Sequence, residues 1–329
     1  MPRSRSYLAL YSGLALLLVL AVWASLALGY RIYGPADLWA AANGTAPLDT
    51  LSVIRDLRLP RAVIAPLVGA ALGVAGVIVQ TLSRNRIAAP DTLGLNAGAA
   101  FAVVLASAGL GVSSLMGLST AAAIGALLTS LLVFGIASAA GGLSPLRIVL
   151  IGVSIAGLFS ALVDMVLTVR EAELDQLLFW LAGAVVDRPL AIVATGGPAI
   201  AIGLICAFWL SPALDIMQTD DNTARSLGLP VELVRAVSFL AVALLTGAAV
   251  AMAGPVAFVG LVVPHAARRL AGLRHAHQVA AAALVGAIYA TAADVVARFV
   301  IYPMEAPVGA VTAVIGGLVL VVLLKRRAA

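Results

Sequence analysis

Charged residues are scarce in this sequence. Asp, Glu, Lys and Arg make up 11% of its 329 residues, whereas 63% are hydrophobic, and the mean hydropathy is +1.11. A soluble domain carries roughly 25% charged residues. Because so few charges cannot cover a polar exterior, the composition argues against a soluble domain. It predicts an all-α integral membrane protein whose surface faces lipid.

Lysine and cysteine are rarer still. Lys325 is the only lysine, and no glycine-rich loop precedes it. A P-loop needs Gly-x-x-x-x-Gly-Lys-Ser/Thr because its lysine reaches the β- and γ-phosphates of the nucleotide, so the sequence excludes this kind of ATP site. Cys206 stands alone within an apolar run. It can form no internal disulfide, and we interpret it as a small buried residue.

The sequence also contains few residue patterns that are typical of catalytic or metal-binding sites. The three histidines, His265, His275 and His277, have no Cys or Glu at a spacing typical of a metal site, and we interpret the last two as part of a solvated basic loop. The net charge of +5 would suit nucleic acid, but the basic residues stand in short loops between apolar runs, which indicates membrane topology. We expect no catalytic residue, no metal site, no cofactor bound by this chain and no nucleic-acid partner.

What the sequence does contain is a series of long apolar segments. A helix needs about 20 apolar residues to span a bilayer, and the first segment is too long for the core of a signal peptide, about 7–15 residues. No linker separates the segments, so we predict one transmembrane domain over 1–329 with about ten helices. The segments lie near 7–29, 61–82, 93–110, 115–137, 146–169, 190–210, 232–253, 255–268, 278–299 and 307–324.

The basic residues predict the orientation of this bundle. If the chain starts inside, thirteen of the twenty Lys and Arg residues fall on the cytoplasmic side and seven fall outside. Cytoplasmic loops carry an excess of positive charge. The distribution therefore predicts that both termini are cytoplasmic, which agrees with an even number of helices.

The eighth segment is unusual because prolines interrupt it. It is apolar from Gly254 onward, and Pro255 and Pro264 stand nine residues apart. At about 1.5 Å per residue it covers only half of a bilayer. Such half-spans persist where protein or a water-filled cavity surrounds their free backbone groups. We therefore predict that this half-span, with Phe258 and Gly260, lines a translocation pathway.

Arginines on the predicted outer side form a second unusual feature. Arg58 and Arg61 stand at the start of the second apolar segment, where they oppose the helix dipole and the positive-inside bias. An acidic partner outside and interfacial snorkelling remain as two interpretations. Asp294 and Arg298 stand four residues apart in an order that favours an ion pair within one helix. Asp164, in the outer half of the fifth segment, has no obvious partner.

The longest cytoplasmic loop predicts a short helix outside the membrane. Acidic residues open it, Arg225 falls in its last turn, Gly228 has the position of a residue just after a helix, and Pro230 prevents continuation. A helix this short is marginal by itself, so we expect it to dock against another element or partner. A solvated connection is the alternative interpretation.

These motifs together resemble the permease subunits of ABC importers for iron–siderophore complexes, haem and cobalamin, the type II importers. Residues 58–61 match the family's Arg-x-Pro-Arg motif, and 84–94 match its Asn-Pro-Leu-Ala loop. Residues 254–268 match its most recognisable motif, and 294–298 and 305–312 follow in register. The resemblance runs from about residue 55 to residue 325.

The sequence departs from the family pattern at two places. Arg86 stands where the family has proline after the asparagine, which puts the turn of that loop in question. Leu318, Val319 and Leu320 stand where the family has Pro and Phe residues. This second departure affects the expected local shape near the end of the last helix.

The resemblance implies the following partners and roles. Two permease copies would form a homodimer around a central pathway, with one ATPase, which binds ATP and Mg, under each copy. A periplasmic or lipid-anchored binding protein would deliver the ligand to Arg58, Arg61 and Arg298. The loop 215–231 would contain the coupling element seated in the ATPase. Its expected contact residues are Asp220, Asp221, Arg225, Ser226, Leu227, Gly228 and Leu229.

Other functions remain open from the residues alone. A secondary transporter driven by an ion gradient would need intramembrane carboxylates, for which Asp164 is a candidate. A membrane scaffold without transport activity would leave the half-span and the outer arginines unexplained. As to the ligand, the residue sequence at 89–96 resembles the siderophore branch of the family more than its haem or cobalamin branches.

Overall fold

The computed structural model describes residues 2–140, 144–169, 177 and 180–328. This part of the chain folds into a bundle of helices. Seven of them are long and apolar enough to cross a membrane, and two shorter apolar helices cover Leu95–Gly109 and Val308–Val322. In chain order the helices are α1 (Pro2–Ala27), α2 (Pro35–Ala42), α3 (Leu48–Ser52), α4 (Leu59–Leu82), α5 (Leu95–Val104), α6 (Leu115–Ala139), α7 (Pro145–Val169), α8 (Ile192–Met217), α9 (Asp221–Ser226), α10 (Val231–Ala253), α11 (Val259–Ala271), α12 (His275–Ala297) and α13 (Val308–Ala328).

Each of the ten apolar segments in the sequence coincides with a helix, which confirms the prediction of an all-α membrane protein. The ends differ by a few residues: α8 continues to Met217 beyond Pro212, and α12 begins at His275. The short helices α2 and α3, which come before a π-helical turn at Val53–Arg58, were not predicted. With eight and five residues, they are too short to give an apolar run of membrane length. Cys206 on α8 is half-buried and packs against the core rather than lying inside it.

Helix α4 is the centre of the bundle. Its residues are almost continuously buried from Pro60 to Leu82, and it packs against α8, α10, α11 and α12. Glycines allow the closest approaches: a Cβ atom at Gly69 would lie 2.0 Å from the carbonyl oxygen of Gly286, and one at Gly76 would lie 2.1 Å from that of Gly260. Because no larger side chain fits there, these small residues position α11 and α12 against α4.

The bundle separates its charged residues into two groups at opposite ends. Arg58 reaches the end of α1, and Arg61 and Arg298 meet at the start of α4 and the end of α12. At the other end of α4, Arg84 contacts Asp221. This division agrees with the two sides assigned from the sequence. Which side faces the cytoplasm remains a prediction.

Candidate functional site

The end of the bundle predicted to lie outside contains a buried ion cluster centred on Asp294. This carboxylate is 1% exposed, and it accepts hydrogen bonds from Arg61 Nη2 at 2.8 Å and from Arg298 Nη2 at 2.6 Å. Arg61 also donates to Glu305, just before α13, at 2.5 Å. The i,i+4 pair of Asp294 and Arg298 expected from the sequence is present, and Arg61 joins it from 233 residues away.

Arg58 and Arg298 also hold the C-terminal end of α1. Arg58 Nη1 donates to the carbonyl oxygens of Leu26 and Ala27, both at 2.8 Å, and its other terminal nitrogen donates to the carbonyl of Arg31. Arg298 Nη1 donates to the carbonyl oxygen of Ser25 at 2.6 Å. The last carbonyls of a helix lack partners within the helix and carry partial negative charge, so guanidinium groups stabilise them.

The structure corrects the interpretation that Arg58 and Arg61 stand at a helix start and oppose its dipole. The helix is continuous from Leu48 to Leu82 through the π-helical turn, so both arginines lie inside it. Their guanidinium groups bond to the end of α1 and to Asp294, where positive charge is favourable. The three arginines are between 5% and 7% exposed. A role for these arginines in docking a binding protein stays a prediction. Because all three already bond to groups of this chain, their part in docking would be indirect.

A cavity of about 160 Å³ opens beside the cluster. Arg58, Arg61 and Arg298 line it together with Asp187 and Glu305. Glu305 is the most accessible member of the cluster itself, since its side chain is 37% exposed. Together with Asp187, the carboxylates Asp294 and Glu305 balance the formal charge of the three arginines. The motif at 305–312 predicted no partner for Glu305, and its pairing with Arg61 is seen only in the folded chain.

The half-span predicted from Gly254 to Pro264 begins later than expected. Gly254 has φ = 70° and Phe258 has φ = 66°, so the segment between them is not helical, and α11 starts at Val259. Of the predicted pathway residues, only Gly260 and Pro264 lie within the helix. Gly254, Gly260 and Pro264 are buried within this chain, whereas Pro255 and Phe258 are half-buried. A pathway role for these five residues remains a prediction.

Two neighbouring segments pack closely beside the non-helical residues before α11. The amide of Ala184 donates to the carbonyl of Ala253 at the end of α10 at 2.8 Å, and the amide of Gly309 in α13 donates to the carbonyl of Gly183 at 2.9 Å. A Cβ atom at Gly309 would lie 2.1 Å from the carbonyl oxygen of Ala182. The irregular backbone is thus enclosed by protein, as it must be within a membrane protein.

Asp91 anchors the start of α11 from the loop between α4 and α5. Its carboxylate accepts a hydrogen bond from the backbone amide of Phe258 and another from the side chain of Asn96. Burial raises the pKa of Asp91 to about 6, against the opposing effect of these two donors. The carboxylate therefore positions the residue at which the backbone enters the helix in a left-handed conformation.

The opposite end of the bundle carries the predicted coupling helix, α9. The Asp220 carboxylate caps it by accepting from the amide of Thr223 at 2.9 Å, and Gly228 follows its end with φ = 80°. Asp221 pairs with Arg84 at 2.6 Å and with the buried Arg235 at 2.7 Å. These bonds confirm the prediction of a short helix that docks against other elements, here the ends of α4 and α10.

The outer surface of α9 is not covered by any other part of the chain that the structure describes. Arg225 pairs with Glu232 at 3.0 Å, and Ser226 and Gly228 are exposed. Leu227 is 64% exposed although it is apolar. Leu229 is half-buried. The ATPase contact predicted for these residues is not tested by the structure of one chain, but the surface needed for it is accessible.

Comparisons with known proteins agree with one another. The FecCD transport family matches residues 17–326. The chain is 37% identical to the siderophore transport system permease protein YfiZ of Bacillus subtilis, over 96% of this chain and 95% of the relative. It is 38% identical to the ferric enterobactin transport system permease protein FepD of Escherichia coli, over 96% and 94% respectively.

A solved structure extends this similarity to the fold. A chain of a metal-chelate type ABC transporter in an inward-facing conformation superposes with a TM-score of 0.85, at 32% identity, and the match covers 96% of this chain and 98% of that one. The seven long apolar helices and these relatives also establish a multi-pass inner-membrane protein. The chain therefore belongs to the FecCD transport family, as a permease subunit of the ABC importer type.

Proposed function

We propose that this chain forms half of the translocation pathway of an ATP-driven importer for ferric siderophores. A second copy would complete the pathway, and two copies of a separate ATPase, each binding ATP and Mg, would drive it. A soluble or lipid-anchored binding protein would deliver the ligand from outside. Relatives named for siderophore and ferric enterobactin transport support the choice of ligand over haem or cobalamin.

One observation supports the proposal that ATP is hydrolysed by a separate polypeptide while this chain forms the pathway. The chain has no P-loop, and it presents a short helix, α9, that is fixed to the bundle by ion pairs from Arg84 and Arg235 while Leu227 projects from it. A rigid attachment with an exposed apolar tip suits an element that transmits force from a partner. In this proposal Leu227 enters a groove of the ATPase, and the pairs of Asp221 carry the displacement to α4 and α10.

The outer cluster supports a complementary role for the binding protein. Arg58, Arg61 and Arg298 line the cavity from beneath the surface, where Asp187, Asp294 and Glu305 balance their formal charge, and Arg55 is exposed on the same side. Carboxylates on a binding protein would meet exposed cations such as Arg55. In this form of the docking hypothesis the buried arginines hold the surface in shape, and the exposed side chains make the direct contacts.

Replacement of Leu227 tests the attachment of the ATPase. In Leu227→Asp, a carboxylate would enter an apolar groove, so we expect co-purification of the ATPase to fall by about tenfold or more, the effect of burying an unpaired charge. Leu48→Asp is the matched control because Leu48 is 85% exposed at the other end of the bundle. Full co-purification with Leu227→Asp would contradict the proposed coupling contact.

The alternative of a cation-coupled transporter finds no support in the position of Asp164. This residue is exposed on α7, and its side chain bonds to no other residue that the structure describes. A cation site needs several converging oxygen ligands. Uptake into vesicles distinguishes the two mechanisms, because only the importer proposed here requires ATP together with the ATPase.

A further inference from the structure

A polar cavity of about 200 Å³ lies at the end of the bundle predicted to be cytoplasmic. It forms where α4, α8 and α11 end and α12 begins. Its walls include the arginines Arg84, Arg86 and Arg268 and the glutamines Gln80 and Gln278. No role described above for the permease uses this cavity, although it adjoins the attachment point of α9.

The positive charge of this cavity is only partly balanced. Arg84 pairs with Asp221 at 2.6 Å, and His275 contacts Asp215 at 2.8 Å. Within the described part of the chain, no carboxylate lies within ion-pair distance of Arg86 or Arg268, and their two positive charges act on each other. Two neighbouring cations that repel each other at a concave surface form a site for an anion.

Two glutamines also line these walls. Gln80 and Gln278 are 3% and 1% exposed, and their amide nitrogens donate to the carbonyls of Leu261 at 3.4 Å and Leu273 at 2.7 Å. Their Oε1 atoms are buried away from the cavity space. The unmet requirement of the cavity is therefore an anion for the guanidinium groups of Arg86 and Arg268.

We propose that this cavity binds a phosphate group. Guanidinium groups match phosphate oxygens in geometry as well as charge. Basic cavities between membrane helices on the cytoplasmic side suit anionic phospholipid headgroups, which favours phosphate over an acidic side chain of a partner. Free phosphate has the same chemistry.

Thermal unfolding of the purified full-length chain in a neutral detergent tests this site. Phosphatidylglycerol, inorganic phosphate and phosphatidylcholine are added separately, and the unfolding midpoint is followed against concentration. We expect phosphatidylglycerol, inorganic phosphate or both to raise the midpoint in a saturable way, whereas phosphatidylcholine does not. If only phosphatidylglycerol raises the midpoint, the ligand is a lipid headgroup. If only inorganic phosphate raises it, the ligand is a soluble ion. Either result supports the site.

Two variants locate the effect. In Arg86→Gln combined with Arg268→Gln, we expect the half-saturating concentration to rise by at least about tenfold, since both guanidinium groups that would bond the phosphate are removed. Arg269→Gln is the matched control, because Arg269 is an exposed neighbour that does not line the cavity. Neither arginine of the double variant loses an ion pair with a residue that the structure describes, so the variant is expected to fold.

Three results would overturn the proposal. The first is that no phosphate compound shifts the midpoint of the unmodified chain. The second is an equal shift in the double variant, which would place binding elsewhere. The third is that the double variant loses the ATPase while phosphate compounds have no effect, which would assign Arg86 and Arg268 to the protein interface.

Discussion

The arginines at the two ends of this bundle differ in how fully they are paired. At the outer end, Arg58, Arg61 and Arg298 are buried and bonded to carbonyls and carboxylates of the same chain. At the other end, the buried Arg235 is bonded in the same way, but Arg86 is exposed, and it and Arg268 have no carboxylate partner among the described residues. Arginines near the end of a membrane helix are therefore not equivalent: some fix helices together, whereas Arg86 and Arg268 stay available to a ligand.

The largest expected effect comes from removing the shared carboxylate of the outer cluster. Asp294→Asn leaves Arg61 and Arg298 buried without a full counter-charge, so we expect a loss of about 3–5 kcal/mol in the free energy of unfolding. Thermal unfolding of the purified chain measures it. Asp49→Asn is the control, because Asp49 and its partner Arg31 are 64% and 67% exposed, and exposed pairs contribute about 0–1 kcal/mol. Equal losses in both variants would remove the distinction between the two kinds of arginine pair.

A smaller effect is expected from Arg58→Met. The change removes three hydrogen bonds to the end of α1 and the contact of the guanidinium with the ring of Tyr33, 4.5 Å away. We expect a loss of about 2–3 kcal/mol, with faster hydrogen exchange concentrated in residues 24–33. Arg55→Met, at an exposed position, should change neither quantity. Unchanged exchange at the end of α1 in Arg58→Met would show that Arg58 does not hold this helix.

At the inner end, Asp221→Asn is expected to cost about 1 kcal/mol, because this carboxylate is partly exposed. Burial would raise the pKa of Asp221, but the guanidinium groups of Arg235 and Arg84 hold it below its ordinary value. A lowered folded-state pKa contributes stability that is complete above about pH 4 and is lost as the pH falls through the folded-state pKa. The difference in unfolding free energy between the unmodified chain and Asp221→Asn should therefore shrink on acidification below about pH 4. A difference that grows on acidification would contradict the pairing.

The smallest effect belongs to the cap of α9. Asp220→Ala removes the acceptor for the amide of Thr223, and caps contribute about 1 kcal/mol. Because α9 has only six residues, we expect faster hydrogen exchange over residues 221–227 with little change in global unfolding. Asp220→Asn keeps an acceptor and should behave like the unmodified chain. If Asp220→Asn were as disruptive as Asp220→Ala, charge rather than capping would be the cause.

The sequence was sufficient for the helices and for local pairs. Apolar segments, most of them of membrane length, located ten of the helices, the i,i+4 spacing identified Asp294 and Arg298, and the acidic start and Gly228 located α9. Each of these depends on residues close together in the chain. The contact between Arg61 and Asp294 depends on how α4 and α12 pack through Gly69 and Gly286, so spacing could not predict it. A carboxylate inside an apolar segment was the available signal that a second cation would be needed.

The start of the half-span illustrates the same limit. Its prolines suggested a helix from residue 255, but the chain enters α11 only at Val259 because Phe258 takes a left-handed conformation and donates its amide to Asp91. Asp91 lies far away in the sequence. The loop from 84 to 94 was recognised by resemblance, and its function as an anchor for α11 emerged only from the folded chain.

Uptake into vesicles tests the central claim, that this chain moves its ligand only through hydrolysis by a partner. Vesicles would contain the chain with or without the ATPase, with or without internal ATP, and would receive the binding protein loaded with ferric siderophore, haem or cobalamin. The account predicts that ferric siderophore accumulates against its gradient only when ATPase and ATP are both present. Accumulation by the chain alone, driven by an ion gradient, would contradict it.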